Sequence, residues 1–228
     1  MSRILKVVRL QLINKQTFIW VPLIVLGAAL AISVLIYAMI PVDTPKYGGG
    51  GQAPLWYFFA MGLSALTLTF PFSQAMSVTR REFFLGTMAA AALGALLMAA
   101  AFLIGGWIED ATNGWGVNGY VFRIPWLWEA GPLAAGLAFF ALAMFFFVIG
   151  FTGATIYKRW GAAATTVVGV GSGLVLVGLA FLVTRLEMWG QFWQGVLWLG
   201  ALGLTLWALV VIAVLMVISY LVLRRAIP

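Results

Sequence analysis

The residues of this chain best able to do chemistry at a surface fall in one short stretch, Ser77-Val78-Thr79-Arg80-Arg81-Glu82-Phe83-Phe84-Leu85-Gly86. Thr79, followed three residues later by Glu82, has the spacing of a capping box. In that device the hydroxyl accepts a backbone N–H from the first helical turn, and the carboxylate reaches back to the cap residue. Arg80 and Arg81 would stand in that turn as permanent cations, with Phe83 and Phe84 offering an apolar face beside them. A small amphipathic element of this kind suits docking into a groove of a partner protein. A tight turn that only reverses the chain is the alternative. A second candidate is Tyr157-Lys158-Arg159-Trp160. Here Lys158 and Arg159 could make another partner contact, or simply anchor the chain among lipid headgroups as basic residues flanked by aromatics do.

Other chemistries are excluded by what the chain lacks. It has no cysteine and no histidine. Thiol catalysis and disulfides therefore drop out, and the common zinc and haem ligand sets cannot be assembled. The glycine run Gly48–Gly51 is not followed by Lys-Ser or Lys-Thr, so it is not a phosphate-binding loop and reads as a flexible turn. No catalytic, cofactor-binding or metal-binding residue is assigned.

The elements that must carry these stretches are strongly apolar. Hydrophobic residues make up 64% of the chain and charged residues 8%, more apolar surface than one soluble core of this size can bury. Six runs, 18–40, 54–76, 85–108, 132–156, 162–184 and 196–223, contain no Asp, Glu, Lys or Arg. Each exceeds the ~20 helical residues needed to cross ~30 Å of hydrocarbon. None alternates with the two-residue period of a membrane barrel, so the expected fold is all-α and integral to the membrane. Residues 1–228 read as a single transmembrane domain of six helices. The third run is rich in alanine, which gains little from lipid, and is expected to pack against protein. The first run is too long for the ~7–15-residue core of a cleaved signal peptide.

Loop charges set the orientation. Arg3, Lys6, Arg9, Lys15, Arg80, Arg81, Lys158, Arg159, Arg224 and Arg225 fall on one side of the runs, ten of the thirteen basic residues. The excess of Lys and Arg on the inner side predicts both termini in the cytoplasm, in a multi-pass protein of a bacterial cell (plasma) membrane. Asp43, Glu109, Asp110, Glu129 and Glu187 would face out, with Glu82 alone inside. The net charge of +7 is thus a topology signal, and the scatter of its cations argues against a nucleic-acid partner. Residues 1–16 are too polar to span. With Ile4, Leu5, Val8 and Leu12 on one face, they suit a helix lying in the inner interface; a charged flank that merely sets topology is the alternative.

The stretch from Phe70-Pro71-Phe72-Ser73-Gln74 through Gly86 resembles the exit of the second helix in ABC-2-type transporter permeases, where a Gly-x-[Ser/Thr]-Arg-[Arg/Lys]-x-Phe/Tyr-Phe-x-Gly pattern recurs. Met76 or Ser77 stands here where the pattern begins with Gly. Six helices, cytoplasmic termini and an elbow helix before the first span are also similar to that family. The resemblance implies the membrane subunit of an ATP-driven exporter. It assigns Thr79, Arg80, Arg81, Glu82, Phe83 and Phe84 to the interface with a separate ABC ATPase subunit, and Lys158 and Arg159 to a possible second cytoplasmic contact. ATP and Mg would bind that partner. This chain would not be an enzyme, and a second permease copy or a homologous permease would complete the path. Gly169 and Gly173, four apart in the fifth run, are candidate helix-packing or dimer positions.

A path for a hydrophobic or amphiphilic cargo (a drug, lipid or antibiotic peptide) could be lined by Ser33, Tyr37, Ser64, Thr67, Thr165 and Ser172, although Ser and Thr in helices also bond to their own backbone. The alternatives are a secondary transporter or an immunity or assembly factor. The first is disfavoured because the runs hold no ionisable group for ion coupling.

Overall fold

The computed structural model describes residues 3–13, 15–75 and 77–224, except for the side chains of residues 3, 4, 6, 12, 13 and 75. Of the expected amphipathic face, Ile4 and Leu12 thus lie outside the described side chains, and Arg225 outside the described residues.

Among the described residues five helical segments are long and apolar enough to cross a bilayer: Gln16–Met39 (α2), Gly49–Gln74 (α3), Arg80–Ala111 (α4), Pro132–Arg185 and Trp189–Leu223. A shorter helix, Arg3–Ile13 (α1), precedes them. The 54-residue segment is not one rod. Gly161, at φ 82° and ψ −176°, divides it into α5 (132–160) and α6 (162–185). Gly200, at φ 62° and ψ −178°, divides the last segment into α7 (189–199) and α8 (201–223). Glycine alone reaches these angles without a Cβ penalty. The loop expected at Tyr157–Trp160 is therefore no loop but the last turn of α5. The last helical segment starts at Trp189, before the run expected at 196, and the break at Gly200 puts residues 196–199 of that run in the aromatic α7.

Two helices widen where a proline follows. Gln16–Trp20 and Ala65–Thr69 form π-type turns, shortly before Pro22 and Pro71. A proline ring removes one N–H donor and crowds the preceding turn, and an i→i+5 turn re-pairs the displaced carbonyls.

α4 turns one face into the bundle. Its buried face runs Phe83, Thr87, Ala90, Ala91, Gly94, Ala95 and Met98, so the alanine-rich run does pack against protein. α1 lies on it through buried Val7 and Gln11, and the Gln11 amide donates to Thr87 Oγ1 at 3.0 Å. The face of α1 that meets protein is thus Val7/Gln11, whereas Leu5 is exposed. α3 and α5 touch backbone to backbone. A Cβ at Gly62 would sit 2.1 Å from the Phe147 carbonyl oxygen, and one at Gly150 2.1 Å from that of Phe59. Such approach is what small residues permit when lipid supplies no hydrophobic drive between helices. Buried Phe58, Phe70, Phe83, Phe147 and Phe151 fill the space around this crossing.

α5 and α8 run parallel. Ala138 and Ala141 near the start of α5 share a cavity with Ala201 and Thr205 at the start of α8. Toward the other ends, the Thr152 and Ser219 hydroxyls meet at 2.7 Å, both buried. The intervening chain therefore returns along the bundle before α8 begins. α6 makes that return largely uncovered, with Val167, Leu174, Leu176, Val177 and Phe181 exposed.

At the end opposite Arg80 the connections form a packed cap. Lys46–Tyr47 (β1) pairs in parallel with Gly119–Tyr120 (β2), and the Tyr47 and Tyr120 rings stack at 5.6 Å. The glycine run expected to be a flexible turn is instead an ordered 3-10 turn, Gly49–Gln52. A Cβ at Gly48 would fall 2.1 Å from the Tyr37 hydroxyl, and one at Gly50 2.2 Å from Ser33 Oγ. The run packs because it has no side chains, not despite lacking them.

Candidate functional site at the basic end

The turn between α3 and α4 is fixed from both sides. α3 ends in a Schellman arrangement: Ser77 N–H donates to the Gln74 carbonyl at 3.0 Å and Val78 N–H to the Ser73 carbonyl at 3.1 Å. Ser77 takes the left-handed position at φ 56°, where glycine is usual. That is the place at which the family pattern carries Gly. α4 then begins with the expected capping box. Thr79 Oγ1 accepts from Glu82 N–H at 3.3 Å, and Glu82 Oε2 accepts from Thr79 N–H at 3.0 Å and from the Thr79 hydroxyl at 2.8 Å. Thr79→Ala is expected to cost about 1 kcal/mol of stability, read as a lower unfolding temperature of the detergent-solubilised protein.

The box starts a 32-residue helix, not a separate short one, and this corrects the expected surface. Phe83 is fully buried and Phe84 nearly so. Phe83 packs edge-on to Phe70 at 5.1 Å; Phe84 meets Phe151 at 5.9 Å and Tyr220 at 5.2 Å. They do not form an apolar docking face. They hold the turn to the bundle, because they stand on the same stripe of α4 as its other buried residues. Arg80 is also committed: its guanidinium donates to the carbonyls of Leu223 and Arg224, a favourable place for a cation at a helix C-terminus. Thr79 and Arg81 remain exposed, with Glu82 partly so.

The last turn of α5 joins the same end. Lys158 and Arg159 are partly exposed, and the Arg159 guanidinium lies 4.2 Å from the Trp160 ring centroid. Arg159 and Arg224 line one cavity between α5 and α8. The turn at 77–82 and the ends of α5 and α8 therefore form one cationic surface.

The expected path-lining residues do not converge. Ser33 and Tyr37 are buried under the glycine turn at the opposite end. Ser64 and Thr67 donate to the Met61 and Leu63 carbonyls, and Thr165 and Ser172 to those of Gly161 and Gly169, so each is satisfied by its own helix. Around Gly169 and Gly173 nothing lies within 4 Å of an added Cβ.

Sequence reasoning missed a carboxylate that accepts four hydrogen bonds. Glu109, at the end of α4, is fully buried. Its Oε1 accepts from the Trp115 indole at 3.0 Å and Val121 N–H at 2.8 Å; its Oε2 accepts from Phe122 N–H at 2.9 Å and Arg123 N–H at 2.7 Å. Neighbouring Asp110 is exposed and pairs with Arg123 Nε at 3.2 Å. Nothing in the sequence separates the two acids except the glycine-rich stretch after them, whose backbone donors need an acceptor.

No group of His, Cys, Asp or Glu able to hold a metal ion occurs among the described residues. No family model, curated protein or solved structure matches the chain.

Proposed function

We propose that this chain is the membrane-spanning subunit of an ATP-driven exporter of the ABC-2 type, crossing the bilayer six times with its basic end in the cytoplasm. Three features support the crossing number. α6 is ~36 Å long at 1.5 Å per residue, enough to traverse the hydrocarbon. It lies between two parallel helices, α5 and α8. Arg80, Arg81, Lys158, Arg159 and Arg224 gather at one end, as cytoplasmic flanks do.

The observation that carries the coupling role is the doubly capped turn at 77–82. It is rigid, anchored by two buried phenylalanines, and leaves Thr79 and Arg81 outward. A partner closing on nucleotide could push on such a turn and move α3 and α4 as a unit, biasing the bundle between two packings. The exposed faces of α6, including Gly169 and Gly173, would meet a second permease copy, and the cargo would be hydrophobic or amphiphilic.

The test is co-expression with a P-loop ATPase encoded beside this chain, followed by affinity purification. Stoichiometric recovery is expected, and Arg81→Glu is expected to reduce it roughly tenfold, since reversing an interface charge costs a kcal/mol or more. Glu187→Lys, at the far end, should leave recovery unchanged. Equal recovery with Arg81→Glu would remove the turn from the interface.

A further inference from the structure

The basic end holds a cavity apart from the capped turn at 77–82. It has a volume of about 410 Å³ and, among the described residues, is lined by Arg159, Leu221, Val222 and Arg224. Two guanidinium groups from different helices thus border one space with an aliphatic wall. Each lies over an aromatic ring, Arg159 at 4.2 Å from Trp160 and Arg224 at 5.9 Å from Tyr220, which restricts the rotamers of both. Among the described residues no carboxylate pairs with either.

A helix C-terminus ordinarily repels anions through its unpaired carbonyls. Here Arg80 occupies the Leu223 and Arg224 carbonyls, so that negative end is already countered. Arg159 and Arg224 are left to face the cavity. Tyr157 and Trp160, exposed in the same last turn of α5 as Arg159, are residues of the kind that settle at headgroup depth. Guanidinium pairs bind phosphate oxygens through paired, charge-assisted hydrogen bonds. Basic pockets between helices on the cytoplasmic side are suited to anionic headgroups.

We propose that Arg159 and Arg224 form a binding site for a phosphate group, the phosphodiester of an anionic phospholipid whose acyl chain lies along exposed Leu221. The proposal rests on the chain being embedded in a membrane and not on the exporter reading, so loss of ATPase recovery and loss of lipid binding are separate results.

The experiment uses the full-length chain, delipidated in neutral detergent and presented with dioleoyl phosphatidylglycerol or dioleoyl phosphatidylcholine, with bound lipid read by native mass spectrometry. Phosphatidylglycerol should be retained at least ~tenfold more strongly: both lipids carry the phosphodiester, but the choline cation of phosphatidylcholine cancels its charge and sets a positive group against the two guanidinium groups. Arg159→Gln with Arg224→Gln should abolish that preference. The paired lysine substitutions should keep part of it, and Arg185→Gln should leave it intact. Elution at the parent volume establishes that each variant is folded; should the double glutamine variant not fold, Arg159→Gln alone is read, because it leaves the end of α8 unchanged. Retention that millimolar inorganic phosphate does not disturb identifies the lipid as the source. Displacement by phosphate identifies a soluble phosphate as the occupant of the same site. Equal retention of the two lipids by the parent, or an undiminished preference in the folded glutamine variant, would overturn the site.

Discussion

Glu109→Ala should destabilise the protein by about 3–5 kcal/mol, the largest loss expected for any side chain of the cap, because it strands four donors at once, two of them buried. The Trp115 indole and the N–H groups of Val121, Phe122 and Arg123 all end on this carboxylate. The side chain is sealed from solvent, so water cannot take its place without opening the cap. Glu109→Gln should lose most of the same energy: its amide nitrogen would face two of the N–H donors while only its oxygen remains an acceptor. Asp110→Asn should change stability by less than ~1 kcal/mol, since the Asp110–Arg123 pair is largely exposed and such pairs contribute little. Thermal unfolding in detergent would read the first two as a fall of roughly 10 °C, together with early proteolysis within 112–124. An unchanged midpoint for Glu109→Gln would mean that the carboxylate does not organise the cap.

The second large effect is expected at the α3–α5 crossing. Gly150→Ala places a methyl group 2.1 Å from the Phe59 carbonyl oxygen, and Gly62→Ala does the same against Phe147. The obstacle is backbone on both sides, so the helices must separate; overpacking of this kind costs about 1–3 kcal/mol. The two changes should add incompletely, because the first opens the gap that the second would need. Gly153→Ala is the control: its nearest neighbour, a Leu63 methyl carbon, is 4.0 Å away, and near-neutral stability is expected. Equal unfolding midpoints for Gly150→Ala and Gly153→Ala would contradict the crossing.

Much of this architecture is legible along the chain because it depends on local periods. The apolar runs form the long helices, and the Thr79–Glu82 spacing forms a capping box. The cap also explains why α4 starts at Arg80 and not at the first uncharged residue of its run, Leu85: a helix begins where its N–H groups find an acceptor. The orientation of Phe83 and Phe84 follows from the same period. Phe83 stands one turn before Thr87 and two before Ala90 and Ala91, on the stripe that is buried; the ten-residue stretch taken apart from its helix does not show this. Glu109 and the Gly48–Gly51 turn depend on partners distant along the chain, among them Val121, Phe122, Tyr37 and Ser33. No local period encodes such partners. Gly161 looks like any loop glycine in the sequence, and only its positive φ distinguishes it as the break between two spanning-length helices.

Because the chain has no cysteine, single-cysteine labelling tests the transmembrane account most directly. Arg81→Cys and Met188→Cys each place one exposed thiol, at opposite ends of the proposed arrangement. In intact cells a membrane-impermeant maleimide should label Met188→Cys, and should label Arg81→Cys only after the membrane is permeabilised. Labelling of both from the same side, or of Arg81→Cys from outside, would contradict it.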